Sequence, residues 1–196
     1  KLLKEASKVV ASTRVEAEQY RERGVTEDKI EVIPNGIDLS EFNTLPPRGT
    51  FRKRYGISKN TKLVLYLGRI SRVKGIDFLI RAFYRLRNKK DDVKLIIAGP
   101  DDGYLNVCKK LVKALGIEHN VLFTGPLYGR EKLAVYNDID VYVLPSIYEI
   151  FSITILEAYA CSKPVIATRV GDLQDRVIHG KTGLLVEPSN VEELSD

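Results

Sequence analysis

The stretch "KLVLYLGRISRVKGIDFLIRAFYRLRNKK", Lys62 to Lys90, carries two hydrophobic periods in succession. From Lys62 to Gly68 the side chains are a short aliphatic run closed by glycine, the pattern of a strand covered on both faces. After Gly75 the spacing changes, and Ile76, Leu79, Ile80, Phe83 and Leu86 recur at helical intervals with Arg and Lys opposite them. A buried strand followed by an amphipathic helix is the first half of a parallel crossover unit.

The unit recurs along the chain. "VKLIIAG" precedes "YLNVCKKLVKALG", "NVLFTG" precedes "REKLAVYNDI", "DVYVLPS" precedes "FSITILEAYAC", and "KPVIATRV" precedes "DLQDRVIHG". The sixth strand, "TGLLVEP", is followed by a short helical segment for which Ser189 or Asn190 is the expected N-cap. Near-continuous apolar strands alternating with helices predict an α/β fold, a doubly wound parallel sheet beginning near Leu45. The residues before it differ: "KVVAST" reads as a strand, "RVEAEQYRERG" as a helix and "DKIEVIPNGID" as a strand ending in a Pro-Asn-Gly turn. "DLSEFNTLPPRGTF" reads as a linker. Residues 1–44 are expected to be the tail of a preceding domain, and the chain a piece of a longer protein.

Composition bounds the possibilities. Of 196 residues, 44% are hydrophobic and 29% charged, values of a globular chain, and no apolar run approaches the ~20 residues of a membrane span. The net charge of +5 permits an acidic partner, but the basic residues are interrupted by apolar ones at helical spacing, the pattern of solvated helix faces, so no specific nucleic-acid site is expected. The two cysteines, Cys108 and Cys161, form neither a CxxC pair nor a disulfide framework, which points to a reducing, cytoplasmic compartment.

In a doubly wound sheet ligands bind beyond the carboxyl ends of the strands, so the residues following each strand carry the candidate chemistry. The first such loop, "GRISRVKG", offers Arg69 and Lys74, a guanidinium fork and an ammonium suited to a diphosphate. In "PSIYEIFSITILEAYAC", Glu149 and Glu157 flank an uncharged run. A helix starting near Phe151 or Ser152 would aim the N–H groups of Ser152, Ile153 and Thr154 at an anion, with one carboxylate on each side of it to accept paired hydroxyls. Other patterns fail. "GPDDG" lacks the third glycine of a dinucleotide fingerprint, and "HGKTG" lacks the first glycine of a P-loop and reads as a turn before a strand. Asp138 and Asp140 fit a helix end and a strand start, and His119 and His179 have no metal-ligand spacing.

The ordered set "VIPNGID", "LYLGRISRVKG", "LIIAGPDDG", "VLFTGPL", "VYVLPSIYEIFSITILEAYACSKPVIAT" and "HGKTGLLV" resembles the C-terminal half of the retaining, group 1 (family four) glycosyltransferases of the two-domain GT-B fold. The resemblance implies a Rossmann-like donor domain from about residue 45 to residue 196 that binds a UDP-, GDP- or ADP-sugar and needs no metal. It implies that Arg69 and Lys74 hold the donor diphosphate, Glu149 stands near the donor sugar, and Glu157 takes the ribose hydroxyls. Arg69, Lys74 and Glu149 are then the expected catalytic residues. Gly68, Gly99, Thr124 to Leu127, Phe151, Ser152, Ile153 and Thr154 are expected to complete the donor site. The acceptor would be bound by an N-terminal domain of which only the tail is present, so the isolated piece is expected to be inactive, and peripheral membrane contact is left open.

The chain departs from the family's pattern where Glu-Gly-Phe-Gly becomes Glu149, Ile150, Phe151, Ser152, and where Gly-Gly…Glu becomes Gly171, Asp172 and Asp175; Ser162 also replaces a frequent glycine. Two alternatives remain open on the sequence: a degenerate, non-catalytic binding module and a sugar-nucleotide epimerase of the same fold.

Overall fold

The protein is seen here in a computed structural model that describes residues 2–196. A short helix α1 (Leu2–Glu5) leads into β1 (Val9–Ala11), α2 (Arg14–Glu22) and β2 (Ile30–Val32), and the two strands pair in parallel in a small sheet of their own. Thr13 caps α2 by accepting from the N–H of Glu16, whose carboxylate in turn takes the N–H of Ser12. The stretch read as a linker is more ordered than its prolines implied. Leu39–Phe42 forms a 3-10 turn that buries Phe42, and α3 (Thr50–Arg54) starts within its last residues.

Six strands then form one sheet: β3 (Lys62–Leu67), β4 (Val93–Ala98), β5 (Val121–Gly125), β6 (Val141–Leu144), β7 (Val165–Thr168) and β8 (Gly183–Val186). Every pairing is parallel and the spatial order is β5-β4-β3-β6-β7-β8. The intervening helices are α4 (Ile76–Lys89), α5 (Leu105–Ala114), α6 (Gly129–Asp138), α7 (Ile153–Ala160) and α8 (Leu173–Arg176), and α9 (Val191–Ser195) packs on α4. The apolar runs of the sequence are the sheet's core: Leu63, Leu65, Tyr66, Leu95, Ile96, Ile97 and Tyr142 are fully buried. The helical period of Ile76, Leu79, Ile80 and Phe83 is the buried stripe of α4.

Asp138 and Asp140 are structural, as their positions in the sequence implied. Asp138, wholly buried at the end of α6, accepts from the N–H groups of Gly49 and Arg52 and so caps α3, while Asp140 accepts from the N–H of Leu63 at the foot of β3. One element is shorter than expected. "DLQDRVIHG" is helical only over α8, because the buried Val177 leaves the helix extended and Ile178 donates its N–H to the Thr182 hydroxyl in the turn that enters β8.

The direction of winding reverses between β3 and β6. Successive strands run outward from β3 through β4 to β5, and the chain then returns to lay β6 on the other side of β3. That reversal opens a crevice between the loops that follow β3 and β6.

Candidate functional site

The two loops at the crevice touch through their backbones. Ile147 donates its N–H to the carbonyl of Val73 at 2.8 Å, and Gly75 lies against the carbonyl of Pro145. Gly75 has φ of +63° and a Cβ there would stand 2.1 Å from the Pro145 oxygen, so only glycine allows this approach. The consequence is chemical: Lys74, in a 3-10 turn just before α4, is carried to the loop after β6.

Lys74 Nζ donates to Glu149 Oε2 at 2.6 Å, with the Ser146 hydroxyl on the same oxygen at 3.3 Å. Both side chains are largely buried, at 15% and 9% exposure. Two residues distant in sequence thus form a close, weakly screened ion pair at the carboxyl edge of the sheet.

Helix α7 begins at the same edge. Ser152 is its N-cap, and no side chain or loop carbonyl accepts from the N–H groups of Ile153 or Thr154 among the described residues, which leaves the positive end of the helix dipole open. A relay of hydroxyls fixes that first turn. Tyr142 donates to the Leu67 carbonyl at 3.2 Å and so accepts from Thr154 Oγ1 at 2.6 Å, which in turn accepts from Ser152 Oγ at 2.9 Å. The Thr154 hydroxyl is therefore engaged in tying α7 to the end of β3. Burial pushes the Tyr142 phenol well above its ordinary range, so the relay stays protonated.

Glu157, one turn further into α7, is buried and faces α6. Lys132 Nζ pairs with its Oε1 at 2.5 Å, and the Tyr136 hydroxyl lies 3.1 Å from its Oε2. Both glutamates singled out in the sequence are thus lysine-paired. Lys132 was not foreseen; the only signal was its position in the first turn of the helix that follows the Thr124–Leu127 loop.

The remaining candidates are placed as follows. Phe151 lies between Glu149 and α7, with the Arg176 guanidinium 3.8 Å from its ring centroid. Arg176 is itself held by Asp172, a buried carboxylate whose pKa is raised by burial against the opposing pull of Arg176. Gly68 and Gly99 end β3 and β4 in register, donating to the carbonyls of Ala98 and Gly125. Arg69 is exposed and pairs with Asp102 at 2.9 Å, not with either glutamate. Thr124 bonds the neighbouring Gly125 carbonyl. Leu127 is buried and lines a cavity of about 190 Å³ between α3 and α6 with Pro46, Phe51 and Ala134. Among the described residues no group of three or more His, Cys, Asp or Glu side chains is placed to hold a metal ion, and no helix is long and apolar enough to cross a membrane.

This architecture, a six-stranded parallel Rossmann-like sheet with its crevice at the strand reversal, matches that of GT-B glycosyltransferases. The model of the family "Glycosyl transferases group 1" matches residues 47–196, and that of "Glycosyltransferase Family 4" matches residues 1–41. The chain belongs to the group 1 glycosyl transferases. It is 36% identical to an uncharacterized glycosyltransferase of Methanocaldococcus jannaschii over 86% of the chain and 44% of that protein. It is also 36% identical to the D-inositol 3-phosphate glycosyltransferase of Pseudarthrobacter chlorophenolicus, over 97% of the chain and 46% of the relative. Among solved structures, Anabaena Alr3699/HepE in complex with UDP and glucose superposes with a TM-score of 0.88 at 28% identity, covering 97% of this chain and 52% of that one. Sucrose-phosphate synthase from Thermosynechococcus elongatus does so at 0.82 and 32% identity, covering 99% and 48%. The chain spans about half the length of these relatives.

Proposed function

We propose that this chain is the donor-binding half of a retaining glycosyltransferase, which moves a sugar from a nucleoside diphosphate sugar to an acceptor hydroxyl. The observation that carries the reading is the convergence of Lys74, Glu149 and the open N-terminus of α7 at the strand reversal. A UDP-sugar is the first donor to test, since the Anabaena protein has been captured with UDP-glucose.

In the transfer, the bond from the sugar's anomeric carbon to the diphosphate oxygen breaks, a bond to the acceptor oxygen forms, and the acceptor proton leaves with the diphosphate. Positive charge gathers on the sugar ring and negative charge on the departing phosphate. Lys74 and the first-turn N–H groups of α7 stabilise the phosphate, and Arg69 joins them by exchanging Asp102 for the ligand. Glu149 lies against the sugar and Glu157 accepts the ribose hydroxyls. This places charge neutralisation on protein groups, with no divalent ion required.

Residues 45–196 form the donor domain in this reading and residues 1–44 the end of an acceptor domain. The separate β1–β2 sheet supports that division. The 196-residue piece alone binds nucleotide and does not transfer sugar. The test is calorimetric titration of UDP, GDP and ADP, in chelator, into this chain and into the full-length protein. Binding of one nucleotide by both, with transfer only by the full-length protein, is the expected result. Failure of the full-length protein to bind any nucleotide sinks the reading and favours the non-catalytic module.

A further inference from the structure

Asp172 marked a departure from the family's sequence pattern, and the structure shows what stands there instead. We propose that Asp172 and Arg176 are a positioning pair, in which Asp172 holds Arg176 over the Phe151 ring and that contact fixes the loop that carries Glu149. The claim that this positioning serves a donor sugar rests on the function proposed above; the claim that the loop is fixed does not.

Two contacts join this segment to the loop, and a third holds Arg176 in place within the segment. The Arg176 guanidinium carbon lies over the Phe151 ring, 3.8 Å from its centroid, well within the range of a cation–π contact. Arg176 Nε is bonded to Asp172 Oδ2 across one turn, and the two side chains are only 19% and 9% exposed. Gly171, with φ of +49°, rests on the main chain of Glu149 so closely that a Cβ would stand 2.0 Å from the Glu149 oxygen.

The fully buried Leu173 and the Tyr159 hydroxyl, which donates to the Arg176 carbonyl at 3.4 Å, seat the segment on the body of the domain. Helix α8 is four residues long, far too short to persist on its own hydrogen bonds, so its place is set by tertiary contacts. The Glu149 loop spans Pro145 to Ser152 without regular structure; its first half is tied by the Ile147 N–H to the Val73 carbonyl and by the Thr168 hydroxyl to the Ser146 carbonyl, and Glu149 by Lys74, whereas Ile150 and Phe151 make no hydrogen bond among the described residues. Phe151 is half-buried, and Arg176 lies over its ring. A buried acid beside a guanidinium is costly unless both are satisfied, and each satisfies the other. Arg176 touches no reacting group in this arrangement; it acts through Phe151 on the position of Glu149.

The test uses Asp172→Ala, Asp172→Asn, which keeps an acceptor for Arg176, and the double change Asp172→Ala/Arg176→Ala. Hydrogen exchange of the amides of residues 147–152 reads the loop without ligand. We expect it to rise at least tenfold in Asp172→Ala and the double variant, and to return toward the parent in Asp172→Asn. Unchanged exchange overturns the proposal. Titration of the full-length protein with UDP and with UDP-glucose reads the consequence. The ratio of the two dissociation constants is expected to shift by at least tenfold against UDP-glucose, with UDP itself altered less than threefold. Equal weakening of both ligands would mean a merely structural role and overturns the positioning claim. Faster exchange in a protein that binds neither ligand would leave the contact standing while refuting the donor-site reading.

Discussion

Replacing Lys74 by Met removes the ammonium that faces Glu149 and separates stability from ligand binding. Glu149 would keep only the Ser146 hydroxyl at 3.3 Å while its side chain is 9% exposed. Breaking a fully buried pair costs about 3–5 kcal/mol; the partial exposure of Lys74 and the remaining serine reduce this to about 2–3 kcal/mol. At about 2–4 °C per kcal/mol for a chain of this size, the melting temperature should fall by about 4–12 °C. Lys74→Met/Glu149→Leu should regain most of that loss, because an apolar pair removes the stranded charge. Binding should behave otherwise. A charge-assisted hydrogen bond to phosphate is worth about 1.5–3 kcal/mol, so both variants should bind UDP about 10- to 150-fold more weakly while uridine is unaffected. Melting curves and titrations with uridine, UMP and UDP check this. If the double variant is as unstable as the single one, or if uridine weakens with UDP, the pair is not the phosphate-facing unit described here.

Three further outcomes are expected. Lys132→Ala strands the buried Glu157, so binding of uridine and UDP should weaken by a similar factor, whereas a loss confined to UDP would place Lys132 on the phosphates. Gly171→Ala forces a Cβ to within 2.0 Å of the Glu149 carbonyl and should cost about 2–6 kcal/mol in urea unfolding, the sum of strain and overpacking; an unchanged midpoint would show that the loop yields freely. Burial pushes the Cys108 thiol up to about 12 and that of Cys161 to about 11, and raises the buried Tyr66, Tyr136 and Tyr142 phenols as well. These groups stay neutral in the fold and ionise sooner when unfolded, the thiols from an ordinary value of 9.0, so stability should be level below about pH 9 and fall as pH rises toward 11–12; denaturation midpoints from pH 7 to 11 that stay flat would contradict this.

The sequence by itself determined the strands and helices of the sheet, because a strand covered on both faces needs an unbroken apolar run and a helix on its surface needs a stripe, and both requirements are local. It also marked Lys74, Glu149 and the start of α7, since residues that follow strands must lie at one edge of a parallel sheet. Strand order and partners were decided only by tertiary structure. Lys74 meets Glu149 across 75 positions and Lys132 meets Glu157 across 25, and no period within either segment encodes such a meeting. Arg69, equally plausible on spacing alone, faces Asp102 instead, and Leu127 turns into the cavity under α3. Asp172 looked like a lost glycine in the sequence; its neighbours in space make it the holder of Arg176. Side-chain chemistry at a crevice depends on which loops the winding brings together, and that is a property of the whole sheet.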